Sequence, residues 1–180
     1  MAEFTDNIIK RIFNNEGVIF ENDPNDEPTK YGLVASDIRE CVADGIFPSS
    51  ALDNIVEFIK NMDSQTAKNG IKHQYFDKLS LSKIIYQEVA EKICDMSMPM
   101  GRKRAVICAQ RACRSVTAGD KELDEDGVMG PNTLSSINIC FNRNFLCAFR
   151  SECAAYYRLV AQSNPNKDRY LQGWLNRAYQ

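Results

Sequence analysis

Apolar residues recur every three or four positions along most of this chain, and this pattern restricts the possible folds more than any other feature. Such spacing places the apolar side chains on one face of an α-helix. It predicts helices over residues 4–13, 36–45, 48–62, 79–98, 102–116, 144–161 and 168–180. No strong pair of alternating strands is present, so at most a small sheet is expected. It would lie between residues 17 and 33, where Val18, Ile19 and Phe20 form a β-prone run.

Single residues mark several of the expected helix ends. Thr5 or Asp6 suits the cap of the first helix, and Ser36 suits the cap of the second. Pro99 is expected to close the fourth helix, because proline breaks helical hydrogen bonding. Pro131 suits the first turn of a further short helix, which follows a tight Asp-Gly turn. The chain is thus expected to be a series of helices joined by loops and turns.

Length and charge limit the class of protein. The 180 residues suffice for one domain, or somewhat more, with a sizeable core. The formal net charge of −2 gives no whole-chain field that would favour nucleic acid or an anionic membrane. No stretch approaches the roughly 18 apolar residues of a membrane span, and the first residues lack the features of a signal peptide. We therefore expect no nucleic-acid partner, no membrane span and a cytoplasmic location.

The seven cysteines are an odd number, so at least one cannot pair within the chain. Most occupy apolar positions of the predicted helices, and none forms a CxxC pair. They are expected to be small buried hydrophobic residues in a reducing compartment. With a single histidine, His73, a Cys/His zinc site or a Cys/His hydrolase is poorly supported.

The stretch NNEGVIFENDPNDEPTKYG, residues 14–32, joins the end of the first helix to an acidic loop. Glu16 follows a helix with an Ile/Phe face, and apolar neighbours would raise its carboxyl pKa and keep it protonated as a general acid. Asp23 and Asp26 lie in a polar loop and should stay ionised, and Thr29 has a hydroxyl group that could hold a water. Two carboxyl groups in unlike environments are the apparatus of glycoside hydrolysis. An exposed glutamate beside a solvated loop would give the same sequence, so the residues alone leave both interpretations open.

The order of these residues carries a further signal. The pattern E-G-x(8)-D-x-x-T-x-Y-G-L runs from Glu16 to Leu33, and HQYFDKLSLSKI and ICDMSMPMGRKRAVICAQRA follow it. These segments resemble glycoside hydrolase family 108, a group of phage-type and bacterial muramidases. LDEDGVMGPNTLSSIN and FRSECAAYYRLVAQSNPNKDRYLQGWLNRA are similar to the predicted peptidoglycan-binding region that accompanies that family. The resemblance covers nearly the whole chain in the right order.

The acidic loop departs from the family motif. Val18 stands where the family has a second glycine, the Gly-Gly after the aspartate is absent, and one residue is inserted before Asp26. The Asp-Pro pair at Asp23 also resembles the family's Asp-Pro, so either aspartate can match the second carboxylate. Asp26 is favoured because it keeps near-family spacing to both Glu16 and Thr29.

The resemblance implies a mainly α, α+β lysozyme-like fold, a helical bundle with a small β and loop region that carries the acidic motif. It implies a catalytic region over residues 1–98 and a helical peptidoglycan-binding region over residues 99–180, packed as one unit. The implied activity is hydrolysis of the β-1,4 bond between N-acetylmuramic acid and N-acetylglucosamine in peptidoglycan. Glu16 would protonate the glycosidic oxygen, while Asp26 and Thr29 would position water or stabilise the transition state.

The same resemblance implies substrate contacts from Tyr31, Tyr75 and Asp23, no metal or organic cofactor, a monomer, and peptidoglycan glycan strands as the partner. It also implies an endolysin that stays in the cytoplasm until a holin releases it to the periplasm and cell wall. The competing hypothesis is a non-catalytic peptidoglycan-binding or secretion-associated protein, which would keep the C-terminal region and lose the acid. The presence of Glu16 favours the enzyme.

Two further motifs have simpler structural interpretations. Glu122, Asp124 and Asp126 match early positions of an EF-hand, but Thr133 stands where a bidentate glutamate is required, so calcium is not expected. The basic run GRKRA, residues 101–105, suits a solvent-facing helix start, although it could also meet an anionic cell-wall polymer.

Overall fold

The computed structural model describes residues 1–22, 27–117, 123–140 and 142–180. Within these ranges the chain is mainly helical, with one two-stranded sheet, as the fold-class prediction required. It divides into two compact units. The first unit is Glu3–Leu81, and the second unit combines Met1–Ala2 with Ser82–Gln180. The functional regions predicted over residues 1–98 and 99–180 stay predictions.

The first unit is built from short elements. In chain order they are α1 (Asp6–Glu16), β1 (Thr29–Lys30), β2 (Leu33–Val34), α2 (Ala35–Ala43), a 3-10 turn (Ser49–Leu52), α3 (Ile55–Asn61), α4 (Ser64–Ile71) and a π-helical turn (Lys72–Asp77). Helix α2 packs against β2, α3, α4 and the π-helical turn, so it lies at the centre of this unit.

Longer helices make up the second unit. A 3-10 turn (Leu81–Lys83) leads into it, followed by α5 (Gln87–Met100), α6 (Arg102–Val116), α7 (Pro131–Ile139), α8 (Asn142–Ser163), a 3-10 turn (Pro165–Lys167) and α9 (Asp168–Tyr179). Helix α8 packs against α5, α6 and α9, and α7 packs against α6. None of the helices in the described part of the chain is long and apolar enough to cross a membrane.

Helices with a strong apolar face follow the predictions closely. Helix α1 begins after Thr5, whose hydroxyl oxygen accepts from the backbone N–H of Ile8 at 3.4 Å, and it buries the expected isoleucines. Helix α6 spans the predicted residues 102–116. Helix α8 extends two residues beyond the prediction at each end. Pro131 is the first residue of α7, as expected for a proline at a helix start.

Two predicted features of the first unit are wrong, and two of its elements were not predicted. Ser36 does not cap α2, because the helix already begins at Ala35 and carboxylates of other residues satisfy its first N–H groups. The single helix predicted over residues 48–62 is divided, since Asn54 caps α3 separately by accepting from the N–H of Glu57. Helix α4 and the π-helical turn were missed, because α4 buries only Ala67, Gly70 and Ile71 within a mostly polar sequence.

The missed helix α4 owes its place to close packing. Gly70 is buried in α4, and a Cβ atom there would lie 2.8 Å from Phe47 Cζ and 2.9 Å from Leu33 Cδ1. Only a residue without a side chain allows these two apolar groups to approach the helix backbone so closely. Tertiary packing rather than helix propensity therefore decides this element.

The fourth predicted helix has different ends. Helix α5 begins at Gln87 rather than near residue 79, because the chain before it makes a turn with Ser80 at φ 51°. Ile85 lies in this connection, where its N–H donates to Asn138 Oδ1 at 2.8 Å. Pro99 does not close the helix but lies within its last turn, and Gly101, at φ 81°, separates α5 from α6.

A buried charged cluster explains why Pro99 is tolerated inside α5. A proline has no N–H group for the carbonyl four residues earlier, which here belongs to Asp95. The Arg177 guanidinium donates to that carbonyl at 3.0 Å and also to Asp95 Oδ1 at 2.9 Å. Lys92 Nζ lies 3.5 Å from Asp95 Oδ2 and donates to the Arg177 carbonyl. Arg177 of the C-terminal GWLNR block thus fastens α9 to α5.

The expected Asp-Gly turn precedes α7. Asp126 Oδ1 accepts from the N–H of Val128 at 2.8 Å, and Gly127 adopts φ 77°. The buried Gln110 side chain donates to Asp126 Oδ1 and Thr133 Oγ1 and accepts from the Gly127 N–H. These bonds hold the pKa of Asp126 below its usual value, first through the Val128 N–H and then through Gln110. Glu122, the first residue of the calcium comparison, lies outside the described residues.

The small sheet is present but uses other residues than expected. Thr29 pairs with Val34 and Lys30 with Leu33, antiparallel. The β-prone run after Gly17 forms no strand, and its Ile19 side chain is 75% exposed. Six of the seven cysteines are buried, in line with the prediction for most of them, whereas Cys147 is exposed.

Candidate active site

Glu16 is the last residue of α1, and the next residue turns the chain away from the helix. Gly17 has φ 77° and ψ 169°, a combination that essentially only glycine adopts, and its N–H closes the helix on the Phe13 carbonyl at 3.0 Å. The Glu16 side chain is partly exposed. The Glu-Gly pair of the motif therefore places a carboxyl group at a helix end where the backbone departs sharply.

The acidic loop is fastened at its base. Glu21 and Thr29 exchange two backbone hydrogen bonds of 2.9 Å, one in each direction. Thr29 is the first residue of β1 and is partly exposed. Asp23 and Asp26, the two candidates for the second carboxylate, lie outside the described residues. The pairing of Glu21 with Thr29 therefore brings the two described ends of the loop together.

Glu27 anchors the loop at a second point, which was not foreseen from the sequence. Its Oε2 atom accepts from the backbone N–H and from the hydroxyl group of Ser36, both at 3.1 Å. Ser36 lies in the first turn of α2, where helix N–H groups lack intrahelical partners and favour negative charge. The adjacent Asp37 Oδ2 accepts from the Val34 N–H at 3.2 Å. Ser36 and Asp37 mark a helix start in the sequence, but the sequence does not show that Glu27 binds there.

The turn of the hairpin packs against α1. Tyr31 and Gly32 link the two strands with φ 56° and 78°, as a tight two-residue hairpin requires. The Tyr31 ring lies 4.7 Å, centroid to centroid, from the Phe13 ring. Phe13 and Glu16 are three residues apart and therefore share one face of α1. Tyr31 is thus positioned beside the end of the helix that carries Glu16.

Lys30 ties the hairpin to another helix. Its Nζ atom donates to the carbonyl oxygens of Lys60 and Met62, both at 2.8 Å, at the C-terminal end of α3. Carbonyl groups at a helix C-terminus have no intrahelical partner and attract cations. The hairpin is therefore held between α1 and α3, which restricts where Thr29 and Tyr31 can move.

Tyr75 has a different environment from the one predicted for a substrate contact. It is 6% exposed, and its hydroxyl group donates to the Asp37 carboxylate, 3.0 Å from each oxygen. The neighbouring Gln74 is fully buried and donates to the Asp37 carbonyl at 3.3 Å. This placement does not support contact between Tyr75 and substrate. The residue instead holds the start of α2, to which the hairpin leads.

The structure thus brings Glu16, Thr29 and Tyr31 onto elements that pack together in the first unit, and all three are partly exposed. Such an arrangement can present a carboxyl group, a hydroxyl group and an aromatic ring to a bound polar ligand. In the described ranges, no three His, Cys, Asp or Glu residues are grouped in a way that could hold a metal ion.

Comparisons with known proteins agree with the motifs. The family model of Glycosyl hydrolase 108 matches residues 9–101, more than half of the chain. The family model described as "Predicted Peptidoglycan domain" matches residues 104–179. Among solved structures, that of SagA from Brucella abortus is similar, with a TM-score of 0.67 and 19% sequence identity over 96% of this chain and 92% of that chain. No curated protein matches.

The two family matches follow one another along the chain and cover the motif of Glu16 and the GWLNR block respectively. The likeness to SagA shows that the fold is shared. The chain belongs to the glycosyl hydrolase 108 family and is a glycoside hydrolase that acts on peptidoglycan.

Proposed function

We propose that this protein is a muramidase that cleaves the β-1,4 bond from N-acetylmuramic acid to N-acetylglucosamine, with Glu16 as the general acid. The observation that carries the proposal is the hairpin packed on the last turn of α1. The Phe13–Tyr31 contact places a partly exposed tyrosine next to the helix end that presents Glu16. An aromatic ring beside a carboxyl group is a common way to hold a sugar ring against an acid.

Glu16 would donate its proton to the glycosidic oxygen as the bond to the anomeric carbon breaks. A general acid of this kind needs a fixed position, because proton transfer requires hydrogen-bond distance to the leaving oxygen. The end of α1 supplies that position, since Gly17 turns the backbone away and leaves the carboxyl group at the helix terminus. The buried isoleucines of the helix hold it to the rest of the unit.

Asp26 is proposed as the second carboxylate, with Asp23 as the alternative. The described anchors support this proposal, because Glu21 pairs with Thr29 and Glu27 is bound to α2 on the C-terminal side of the loop. A carboxylate in such a loop would activate a water or stabilise positive charge at the anomeric carbon. Thr29, at the base of the loop, would hold that water through its hydroxyl group.

The test is hydrolysis of purified Gram-negative peptidoglycan by the native chain and by Glu16→Gln. The substitution keeps the size and hydrogen bonding of the side chain but removes its titratable proton. We expect loss of about 10²–10⁴-fold in rate, the usual contribution of general acid catalysis. Glu57→Gln is the matched control, because Glu57 is an exposed glutamate on α3 of the same unit and should leave the rate unchanged.

The products decide between bond types. Muramic acid at the new reducing ends supports the muramidase, whereas N-acetylglucosamine there would mean that the other glycosidic bond is cut. If the native chain and Glu16→Gln both bind peptidoglycan and neither releases fragments, the competing hypothesis of a non-catalytic binding protein is correct. Circular dichroism of each variant shows whether it is folded.

A further inference from the structure

A surface groove of about 580 Å³ lies in the second unit, between the start of α6 and the end of α8. Its lining residues are Arg104, Tyr156, Leu159, Val160, Gln162 and Ser163. All of them fall within the match to the "Predicted Peptidoglycan domain", which begins at residue 104. That match covers 76 residues and does not say which of them contact the polymer.

Arg104 provides the positive charge of the groove. It is the last basic residue of the GRKRA run, and its guanidinium carbon lies 4.9 Å from the centroid of the Tyr156 ring. Lys103 points elsewhere, because its Cγ atom and its carbonyl oxygen lie against Gly127. Stacking on the ring holds the guanidinium in one orientation, which lowers the entropy lost when it binds an anion.

Apolar surface extends along the same groove. Leu159 is 61% exposed, and Val160 beside it is partly exposed. The Gln162 amide group is exposed and can both donate and accept hydrogen bonds. No carboxylate occurs among the groove residues in the described part of the chain. The groove therefore combines one oriented cation, an apolar wall and an amide group.

We propose that this groove binds the acidic stem peptide of peptidoglycan. Stem peptides combine free carboxylates, alanine methyl groups and backbone amides. Arg104 can bind the carboxylates, Leu159 can contact the methyl groups, and Gln162 can form hydrogen bonds with the amides. A carboxylate bound by an arginine makes a charge-assisted hydrogen bond, stronger than one between neutral groups. The inference rests on peptidoglycan as the substrate, as in the proposed function, but not on Glu16 as the acid.

The glycan strand fits this groove less well. A sugar ring binds by stacking on an open aromatic face, but one face of the Tyr156 ring is covered by Arg104. The glycan backbone also lacks the density of carboxylates that the arginine would recognise. The groove therefore complements the peptide part of the polymer.

Binding of the full chain to purified peptidoglycan sacculi tests this inference. The Glu16→Gln background is used so that the sacculi are not digested during the measurement. We expect Arg104→Gln to weaken binding about tenfold, the effect of one lost charge-assisted hydrogen bond. We expect Leu159→Ser to weaken it about threefold, because only part of one apolar side chain is removed from the contact.

Matched controls exist in the same unit. The guanidinium carbon of Arg169 lies 4.6 Å from the centroid of the Tyr170 ring, outside the groove. Arg169→Gln therefore removes an arginine stacked on a tyrosine, as Arg104→Gln does within the groove. Ile139 on α7 is 75% exposed, so Ile139→Ser is the control for Leu159→Ser. Both controls should bind sacculi like the parent chain. Thermal unfolding of all four variants shows that each is folded.

The ligand is identified by two further probes. The soluble tripeptide L-Ala-γ-D-Glu-diaminopimelate should compete for binding, and an N-acetylglucosamine oligomer should not. An amidase removes the peptide by hydrolysing its amide bond, which leaves one lactyl carboxylate on each muramic acid but no alanine methyl or peptide amide groups. These strands should bind at least tenfold more weakly than intact sacculi. Equal binding of stripped strands, or equal effects of Arg104→Gln and Arg169→Gln, would overturn the inference. If the native chain fails to hydrolyse peptidoglycan while these binding differences appear, the proposed muramidase activity fails and the groove assignment stands.

Discussion

In the second unit, three charged side chains of α5 and α9 are buried together, whereas the described part of the first unit buries one carboxylate against a hydroxyl group. Arg177 and Lys92 surround Asp95 and join two long helices. Asp37 accepts from Tyr75 and from the backbone of Val34, at the point where the hairpin passes into α2. The charged cluster holds α9 to α5. The hydrogen bonds to Asp37 hold the start of α2 next to the hairpin that carries part of the candidate site.

This difference suggests how each unit tolerates change. Removing one member of a buried charged cluster leaves the others without compensation, which is very costly. Removing the hydroxyl donor from Asp37 leaves a carboxylate that still accepts from the Val34 N–H. The second unit should therefore lose more stability from a single polar substitution, while the first unit should lose function before it loses its fold.

The largest effect should come from Asp95→Ala. It leaves Arg177 and Lys92 buried without their anion, and we expect the free energy of unfolding to fall by about 3–5 kcal/mol. Urea denaturation monitored by circular dichroism measures it. Hydrogen exchange then shows whether α5 and α9 alone are affected. Asp124→Ala, an exposed aspartate in the same unit, should change the free energy little. Equal losses for the two variants would remove the distinction between the units.

An intermediate effect is expected from Tyr75→Phe in the first unit. The substitution removes a buried hydrogen bond to a carboxylate, so the free energy of unfolding should fall by about 1.5–3 kcal/mol. Tyr31→Phe is the matched control and should leave stability nearly unchanged, because the ring contact with Phe13 is kept. The same two variants assayed on peptidoglycan test the substrate-contact predictions. A changed KM with unchanged stability in Tyr75→Phe would restore Tyr75 as a substrate contact.

The smallest effect should belong to an exposed ion pair of the second unit. Glu125 accepts from Arg111 and Arg114 at 2.7 Å each, and the hydrogen bond from Arg111, followed by the charges of both arginines, lowers the pKa of Glu125 from its usual 4.5. Because the folded pKa is the lower one, this stabilisation is present above pH 4.5 and is lost as pH falls through the folded value. Solvent screening limits it to under about 1 kcal/mol.

Glu125→Gln tests this pH dependence. The variant should be slightly less stable than the native chain at pH 7, and urea unfolding at pH 3 should show a smaller difference between the two. A difference that grows as the pH falls would contradict the expected direction. High salt should also reduce the difference at pH 7, because exposed charges are screened.

Prediction from the sequence succeeded where one helix face decides the structure. Helix α6 was placed correctly because its apolar residues repeat at helical spacing over four turns. Helix α4 was missed because its sequence is mostly polar. Its position depends on the close packing at Gly70, which the sequence does not show. Pro99 was predicted to end the helix because a proline lacks an N–H group. The prediction failed because the guanidinium of Arg177, 78 positions later, donates to the Asp95 carbonyl in its place. Local patterns cannot reveal a partner so distant in the chain.

For the candidate site, the chain alone determined the chemical groups and their order: Glu16, the acidic loop, Thr29 and Tyr31, because motif and spacing are properties of the sequence. Only the tertiary structure decided which of them come together. It packed Tyr31 on Phe13, bound Glu27 to Ser36, and buried Tyr75 against Asp37. The physical reason is that burial and hydrogen-bond partners depend on contacts between segments far apart in the chain, which no local spacing encodes.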